Sequence, residues 1–308
     1  MRIFLNTACN YGSGRSRLNK ITDELSRRIG SFDVEEITSP DTIVTQLQKA
    51  YNEGVREFVA AGGDGTVNLI LNGIIRAGLD GRKITLGAIG LGSSNDYHKP
   101  FRQKNMVMCT PVKLDFRDAV LCDVLKIGYL DPDGSRKVRF CLCNASIGVT
   151  AEANAFFNLK TQWMKVLQRI SVEVAIATAA LRTIVAFRNL PCVVTVNDKA
   201  KEEVLLTNMG VIKNPHFTGS LCYDADILPN DGKMGLYMCL NHSLLERIAV
   251  FIALYRHRFN QRPKTRCEAA VTVGVKSNNI FPLEMDGEVV ETSEVDFSVI
   301  PRKVRCCV

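Results

Sequence analysis

The sequence contains no long hydrophobic run. A membrane-spanning helix needs roughly 20 consecutive apolar residues, whereas the best candidates, residues 174–181 and 248–255, are shorter and are bracketed by charged side chains. The apolar stretch that follows Met1 is also too short for a signal peptide. We therefore expect a cytoplasmic protein that has no transmembrane segment.

Histidine and tryptophan are scarce, and the cysteines are not spaced for metal binding. The 308 residues include four histidines, one tryptophan and eleven cysteines, but no Cys-x-x-Cys pair. Zinc sites need closely spaced cysteine and histidine ligands, so we predict no zinc site. Scattered thiols of this kind are typical of reduced, mostly buried residues in a cytosolic protein.

The composition is that of a folded globular protein. With 46% hydrophobic and 23% charged residues, the chain falls outside the disordered and collagen-like classes, and its length suffices for two ordinary domains. The net charge of +7 fits a solvated basic surface, or attraction to the phosphates of a nucleotide or an anionic lipid surface. No nucleic-acid-binding motif accompanies this charge, so we predict no nucleic-acid partner.

Strands and helices alternate in the first third of the chain. Short apolar stretches predict strands, and amphipathic stretches predict helices between them. The predicted strands cover residues 2–6, 32–37, 57–61 and 84–89, and the predicted helices cover 15–29, 39–51 and 66–77. Such alternation is typical of a parallel sheet that is covered by helices.

Beyond residue 120 the pattern favours antiparallel strands with helical insertions. Turn signals separate the strands, and two helical stretches interrupt them. The predicted strands cover residues 121–130, 137–143, 192–196, 203–209, 234–240, 269–275, 280–285 and 295–300, and the helical stretches cover 156–187 and 244–257. We therefore predict two domains, with ligands bound in the cleft between them.

The sharpest motif is Gly-Gly-Asp-Gly-Thr at residues 62–66, which follows a predicted strand and opens a predicted helix. Glycines let the backbone approach a phosphate closely, and a helix start supplies N–H donors with a partial positive field. A carboxylate at Asp64 would repel phosphate unless it acts through a metal ion or a proton. The motif therefore predicts phosphate binding with metal or proton chemistry.

Two further polar glycine loops follow predicted strands. Residues 90–97 read Gly-Leu-Gly-Ser-Ser-Asn-Asp-Tyr, in which Asn95 stands where a dinucleotide fingerprint would have its third glycine. Residues 6–14 form the other loop, which lacks the lysine of a Walker motif. Since parallel strands end at one edge of a sheet, we expect all three loops to face one crevice.

Two acidic turns stand out in the second half of the chain. Asp286 and Glu288 flank Gly287, and in an extended segment they would face the same side. Taken alone, this pattern also fits a polar hairpin turn. Residues 224–232 carry three aspartates and suit either a loop cation site or an ordinary turn.

These segments occur in the order and spacing of the diacylglycerol kinase catalytic family, which includes bacterial soluble lipid kinases, sphingosine kinases and ceramide kinases. The sequence resembles this family over nearly its whole length, at residues 62–68, 90–97, 144–148, 224–232 and 285–288. Five such motifs in one order make the resemblance specific.

The resemblance implies the fold of each domain. Residues 1–121 would form an α/β ATP-binding domain of the NAD kinase/diacylglycerol kinase type. Residues 122–308 would form an antiparallel β-sandwich-like lipid-substrate domain with helical insertions. The resemblance also allows an arrangement in which the C-terminal tail packs back on the first domain.

The resemblance also implies which residues act. The ATP-binding residues would be Thr38, Gly62, Gly63, Asp64, Gly65, Thr66, Val67, Asn68 and Ser93. The catalytic residues would be Asp64, Asp286 and Glu288. In this interpretation Asp64 helps to hold a catalytic magnesium ion, and Asp286 or Glu288 takes the proton of the attacking hydroxyl.

A second magnesium ion, with a structural role, would be bound by Asp231 and by the carbonyls of Leu228 and Lys233. Asp123 matches an acidic position that tethers the family's active site through bound water or metal. Both assignments rest on the resemblance alone.

The predicted function is ATP- and Mg²⁺-dependent phosphorylation of a lipid hydroxyl in the interdomain cleft. The sequence does not identify the lipid, because many different apolar sequences can bind a lipid tail. The candidates are diacylglycerol, a sphingoid base, ceramide and phosphatidylglycerol. Two alternatives also stay open. A kinase of another small hydroxyl substrate, such as NAD kinase, shares the Gly-Gly-Asp-Gly loop, and a catalytically silent nucleotide- or lipid-binding module would keep the same residues without turnover.

We expect the lipid to be reached through peripheral contact with the inner face of the membrane. Trp163, with Lys160 and Lys165, is a candidate for that contact, although an ordinary half-exposed amphipathic helix explains the same pattern. A homodimer is compatible with the sequence.

Overall fold

The protein is described by a computed structural model over residues 1–101, 105–158 and 172–308. The chain divides into two compact units. The first contains Met1–Val124 together with Pro301–Val308, and the second contains Leu125–Ile300. The chain therefore enters the second unit near the predicted boundary at residue 122 and returns to the first unit for its last residues.

The first unit begins with alternating strands and helices, as the sequence predicts. Its elements in chain order are β1 (Arg2–Leu5), α1 (Cys9–Gly12), α2 (Gly14–Ile29), β2 (Asp33–Glu36), α3 (Ile43–Asn52), β3 (Glu57–Gly62), α4 (Asp64–Arg76), β4 (Thr85–Gly90), β5 (Met106–Val107) and β6 (Thr110–Lys113). A 3-10 helix over Asp96–Phe101 follows β4.

The first four strands form a parallel sheet in the order β2-β1-β3-β4. Strand β6 pairs antiparallel with the end of β4. The C-terminal segment pairs in parallel with the start of β4, where Arg305 lies opposite Thr85 and Cys306 opposite Leu86. The predicted parallel α/β arrangement is confirmed.

Helices cover both faces of this sheet because its strands are apolar on both sides. On one face, Ile3 and Leu5 pack with Leu18 and Ile21 of α2. Phe4 points to the other face, where its ring meets Phe58 at a centroid distance of 5.4 Å. Helices α3 and α4 pack against each other as well.

The second unit is an antiparallel β structure with helical insertions. Its elements in chain order are the end of β7 (Val120–Leu130), β8 (Arg136–Cys141), β9 (Asn144–Gly148), α5 (Val149–Phe157), α6 (Val172–Ala186), β10 (Leu190–Val196), β11 (Glu202–Ile212), β12 (His216–Phe217), β13 (Leu221–Cys222), β14 (Met234–Leu240), α7 (Leu244–Tyr255), β15 (Thr265–Ala270), β16 (Thr272–Met285) and most of β17 (Glu288–Cys306).

The strands of the second unit pair in the order β15-β14-β11-β10-β16-β17, and β9 pairs with both β11 and β16. Alternate side chains of these strands form one large apolar core, which includes Leu125, Met209, Leu236, Leu283 and Phe297. The predicted antiparallel, β-rich second domain with helical insertions is confirmed.

Several boundaries differ from the sequence prediction. The strand predicted at residues 269–275 is two strands, because the pairing partner changes from β14 to β10 and β17 at Val271. The strand predicted at 280–285 is the end of β16, which continues through an irregularity between Lys276 and Phe281. The helical stretch predicted from residue 156 begins at Val149, and its central part, including Lys160, Trp163 and Lys165, lies outside the described residues.

No helix in the described part of the chain is long and apolar enough to cross a membrane. All eleven cysteines are described, and each is free. Eight of them are buried, in agreement with the predicted buried thiols.

The connection from β9 to α5 depends on Gly148, which has a φ of +94°. A Cβ atom at this position would lie 2.4 Å from the Thr207 carbonyl oxygen. Gly134 has a similar φ of +85°, but nothing lies within 4 Å of the place where a Cβ atom on it would stand. A side chain at either position would strain the backbone, but only at Gly148 would it also collide with neighbouring atoms. Alanine substitutions at the two positions therefore distinguish the two effects.

We expect Gly134→Ala to destabilise the protein by about 1 kcal/mol through backbone strain alone. Gly148→Ala should cost about 1–3 kcal/mol more, because backbone atoms must move to admit the methyl group. Urea unfolding of both variants measures the difference. Equal losses of stability would show that the backbone around Gly148 accommodates a methyl group without moving.

Candidate active site

The loops that follow the parallel strands all leave the same edge of the first unit's sheet. Leu5 lies opposite Glu36 on β2 and opposite Ala61 on β3, and Gly62 lies opposite Gly90 on β4. The strands therefore end level with one another. This register brings the predicted phosphate loop and the loop after β4 side by side.

The two loops touch through their glycines. The Leu91 and Gly92 amides donate to the Gly62 carbonyl at 2.8 and 3.2 Å. A Cβ atom on Gly92 would lie only 2.4 Å from the Gly63 Cα atom, so a larger residue would push the loops apart. Close backbone approach is thus the reason for glycine at Gly92.

Asp64, the first residue of α4, joins the same two loops. Its Oδ2 atom accepts a hydrogen bond from the Asp96 amide at 3.0 Å, and its Oδ1 atom accepts one from the Tyr97 amide at 2.9 Å. These amides open the 3-10 helix, whose first N–H groups need acceptors. The carboxylate therefore positions the loop after β4.

Some of the predicted ATP-binding residues are exposed at this edge. Thr38, Gly65 and Ser93 are exposed, and nothing lies within 4 Å of the place where a Cβ on Gly65 would stand. The Thr38 hydroxyl lies 2.9 Å from that of Thr42. Open space at the start of a helix of 13 residues suits a phosphate, so this part of the predicted set fits the nucleotide.

Three others of the predicted ATP-binding residues face inward. Thr66, Val67 and Asn68 are buried. The Thr66 Oγ1 atom accepts a hydrogen bond from Asn6 Nδ2 at 3.0 Å, and Asn68 Oδ1 accepts one from Asn72 Nδ2 at 3.0 Å. These side chains tie α4 to the first loop and to its own next turn.

The acidic pair in the second unit lies at a tight hairpin between β16 and β17. Met285 pairs with Glu288, and the two turn residues, Asp286 and Gly287, have φ values of 46° and 92°. Of the two interpretations that the sequence left open, the hairpin turn is confirmed and the extended segment is wrong, because an Asp-Gly pair forms the two-residue turn. As a result Asp286 is buried, whereas Glu288 is exposed.

Asp286 is held by the connection between β8 and β9. Its carboxylate accepts hydrogen bonds from the Asn144 amide at 2.9 Å and the Leu142 amide at 3.2 Å. Its own amide donates to the Asn144 carbonyl at 3.0 Å. This side chain therefore orients the hairpin that carries Glu288.

Glu284 supports the same hairpin and was missed by the sequence analysis. It is buried, and its two oxygens accept hydrogen bonds from the Gly287 amide at 2.7 Å and from Ser146 Oγ at 2.8 Å. The sequence did contain a signal for this role, since Glu284 lies within an apolar strand. A carboxylate that is buried in such a strand requires hydrogen-bond donors, which predicts a structural contact.

Asp123 is buried in the first unit, with a relative exposure of 1%. One carboxylate oxygen accepts a hydrogen bond from the Arg302 amide at 2.9 Å. Arg302 belongs to the returning C-terminal segment, so this contact fixes that segment within the first unit.

The turn assigned to structural magnesium holds an ammonium group. Lys213 Nζ lies 2.7 Å from the Leu228 carbonyl oxygen, 2.9 Å from Asp231 Oδ1 and 2.7 Å from the Lys233 carbonyl oxygen. Burial would raise the pKa of Asp231, but hydrogen bonds from Lys213 and from the Lys233 amide outweigh it and lower the pKa. These three oxygens do not fit a magnesium ion while Lys213 is among them.

The described residues contain no group of three or more His, Cys, Asp or Glu side chains that could hold a metal ion. Any metal at the loop edge would therefore rely on few protein ligands. Magnesium commonly binds in this way, through one or two carboxylates and the phosphates of a substrate.

Comparisons with known families agree with the two-unit architecture. Residues 1–114 match the diacylglycerol kinase catalytic domain, and residues 144–308 match the YegS C-terminal NAD kinase beta sandwich-like domain. The chain belongs to the diacylglycerol kinase family. The resemblance inferred from the motifs is confirmed, and so is the predicted fold of each domain.

Two bacterial relatives are similar in sequence. A Staphylococcus carnosus protein named "Putative lipid kinase" is 23% identical over 98% of this chain and 94% of its own length. The diacylglycerol kinase of Bacillus subtilis is 37% identical over 92 residues, which cover 29% of each chain. Both names support a kinase of the lipid type.

The fold is also that of solved structures. A crystal structure described as a "putative diacylglycerol kinase" from Bacillus anthracis superposes with a TM-score of 0.72. The match covers 99% of this chain and 96% of the other, at 16% identity. A second Bacillus anthracis diacylglycerol kinase structure gives a TM-score of 0.67 at 14% identity.

We expect Asp64→Asn to loosen the contact between the loop at residues 62–66 and the loop after β4, because it removes an acceptor as well as a charge. The amide nitrogen of asparagine would face one of the two backbone N–H groups, and the lost hydrogen bond should cost about 1–3 kcal/mol. Thermal unfolding measures this loss, with Asp41→Asn, a change at an exposed aspartate, as the control. If both variants are equally stable, Asp64 does not hold the loop after β4.

Proposed function

We propose that this protein is an ATP- and Mg²⁺-dependent kinase that phosphorylates a lipid hydroxyl. The observation that carries the proposal is the phosphate edge of the first unit, where Asp64 holds two glycine loops together at the start of α4. In a member of this family, that edge is suited to the phosphates of a nucleotide.

In this proposal the first unit positions the nucleotide. The backbone at the start of α4 and the exposed Gly65 and Ser93 face the phosphates, and Asp64 keeps the two loops at the correct separation. ATP bound with Mg²⁺ would supply the transferable phosphoryl group and neutralise its charge. Most of the rate enhancement then comes from positioning, since phosphoryl transfer needs little covalent help from the protein.

The second unit activates the acceptor in this proposal. Glu288 accepts the proton of the lipid hydroxyl while the hydroxyl oxygen bonds to the γ-phosphorus and the bond to ADP breaks. Of the two acids at the hairpin, Glu288 is the exposed one, whereas both oxygens of Asp286 accept backbone hydrogen bonds. Asp286 is therefore assigned as a positioning residue rather than the base.

An apolar pocket in the second unit supports a lipid as the acceptor. Helices α5, α6 and α7 line it with Ala153, Ile184, Val250 and Leu254, and Cys239 lies on the sheet side. The surface exposed inside the pocket is mainly apolar, which suits hydrocarbon, although Asn208, His242 and Arg247 also line it. With a volume of about 60 Å³ the pocket is much smaller than a lipid tail, so a tail would enter it only if the three helices moved apart.

Helix α7 supports peripheral contact with an anionic lipid surface. Its start is fixed by a capping box between Ser243 and Glu246, and Val250 and Leu254 on one face are buried. The other face exposes Leu245, Ile248, Ile252 and Tyr255, at relative exposures from 36% to 78%, and Arg256 and Arg258 follow it. An apolar stripe beside basic residues is typical of interfacial helices.

A cytoplasmic location at the inner membrane face belongs to the same proposal. The support is the set of eleven free thiols, because cysteines persist as thiols in a reducing compartment.

A direct assay tests the proposal. The purified chain is incubated with labelled ATP, Mg²⁺ and mixed micelles that contain diacylglycerol, a sphingoid base, ceramide or phosphatidylglycerol, with NAD as a non-lipid acceptor. We expect a phosphorylated lipid that does not form in the presence of EDTA. Phosphorylation of NAD alone, or nucleotide binding without any product, would contradict the proposal.

Glu288→Gln tests the assigned base in that assay. Loss of a general base typically lowers the rate about 10²–10⁴-fold, and the ATP affinity and the unfolding temperature should stay close to those of the unmodified protein. Glu291→Gln, at another exposed glutamate of β17, is the matched control. Rates within a few-fold of each other in the two variants would remove Glu288 from the mechanism.

Vesicle sedimentation tests the role of α7. We expect the protein to bind vesicles that contain phosphatidylglycerol more strongly than neutral phosphatidylcholine vesicles, and to be released by high salt. Leu245→Glu with Ile252→Glu should reduce this binding at least tenfold, whereas Val138→Glu, at an exposed valine of β8, should not. Equal binding by all three proteins would exclude α7 as the contact.

A further inference from the structure

The Lys213 ammonium group stands among the oxygens that the family resemblance assigns to a structural magnesium ion. An ammonium group has three N–H donors and no acceptor. Lys213 directs them at three acceptors, the carbonyls of Leu228 and Lys233 and the Asp231 carboxylate, at 2.7–2.9 Å. All three oxygens therefore accept a hydrogen bond from one ammonium group.

These distances are those of hydrogen bonds rather than of metal coordination. Magnesium binds oxygen at about 2.0–2.1 Å and requires near-octahedral geometry. A magnesium ion in the same place would also bring a double positive charge next to the Lys213 ammonium and would compete with it for the Asp231 carboxylate. Metal binding would therefore require Lys213 to move out.

The lysine side chain is not free to leave. Its relative exposure is 2%, and the residue directly follows β11. The Lys213 amide donates to the Cys143 carbonyl at 2.7 Å, which fixes the backbone at this point. Leaving would also strip the Asp231 carboxylate of its ion-pair partner.

We propose that Lys213 replaces the structural metal in this protein, so that its ammonium group organises the turn over residues 228–233 and the second unit holds this turn without a divalent cation. The turn leads into β14, and Gly235 of β14 pairs with Ile212, the neighbour of Lys213. One lysine therefore connects the end of β11 to the start of its partner strand. The inference concerns folding and does not depend on the kinase reaction.

Thermal unfolding of the full chain without nucleotide tests this inference. We expect the unfolding temperature in 5 mM EDTA to equal that in 5 mM MgCl₂ within about 1 °C, as follows when no bound ion is lost on unfolding. The metal content after dialysis against MgCl₂ and desalting should be far below one ion per chain. A fall of several degrees in EDTA, or one retained ion per chain, would overturn the inference.

Two variants extend the test. Lys213→Met keeps the apolar stem but removes the charge, and should lower the unfolding temperature by about 2–6 °C, because the Leu228 and Lys233 carbonyls and the Asp231 carboxylate lose their shared hydrogen-bond donor. Lys199→Met, at an exposed lysine, is the matched control. Equal unfolding temperatures for the two variants would contradict the proposed role of Lys213.

Lys213→Ala vacates the space among the three oxygens. We expect it to be destabilised in EDTA and to recover part of the loss in MgCl₂ or CaCl₂, which the unmodified chain does not. If Lys213→Met does not fold, the comparison of unfolding temperatures in EDTA and MgCl₂ still tests the inference, because it uses the unmodified chain. A stabilisation by Mg²⁺ that is equally large in the unmodified chain would show that the ion binds beside the lysine, against the inference.

Discussion

The contact between two glycine loops at the end of β3 and β4 is the constraint on which the first unit depends. The backbones of Gly63 and Gly92 lie so close that a Cβ atom on Gly92 would be 2.4 Å from the Gly63 Cα atom. The Asp64 carboxylate accepts hydrogen bonds from the two amides that begin the following 3-10 helix. The residue that the family resemblance predicts to be catalytic therefore also sets the spacing of the loops. Loss of this carboxylate would change the shape and the charge of the phosphate edge together.

Buried carboxylates perform a similar task in the second unit. Asp286 and Glu284 lie in an apolar strand context, where an unpaired charge would be strongly destabilising. Backbone amides and the Ser146 hydroxyl satisfy them, and the result is a hairpin whose position is fixed on two sides. Such support leaves Glu288 as the exposed acid of the hairpin, with its location determined by its buried neighbours.

In our proposal the Lys213 ammonium group stabilises the turn over residues 228–233, which by the family resemblance a magnesium ion would stabilise. The Leu228 and Lys233 carbonyls and the Asp231 carboxylate are all present, and each accepts a hydrogen bond from the same ammonium group. A turn held by a covalently attached cation does not depend on the concentration of free magnesium. The oxygens alone would have suggested a metal site, and the lysine distinguishes the two cases.

The sequence by itself determined the features that arise from local patterns. Strand–helix alternation predicted the parallel sheet, and polar loops after the strands predicted that residues 62–68 and 90–97 share one edge, because parallel strands end together. The Asp286-Gly287 turn was also locally encoded, and the sequence left it open as an alternative to an extended segment. Only the tertiary structure decided that Asp286 is buried while Glu288 is exposed, that Asp64 meets the Asp96 and Tyr97 amides, and that Lys213 reaches Asp231. These contacts join residues that are distant in the chain, and no periodicity or spacing encodes which distant partner a buried charge will find.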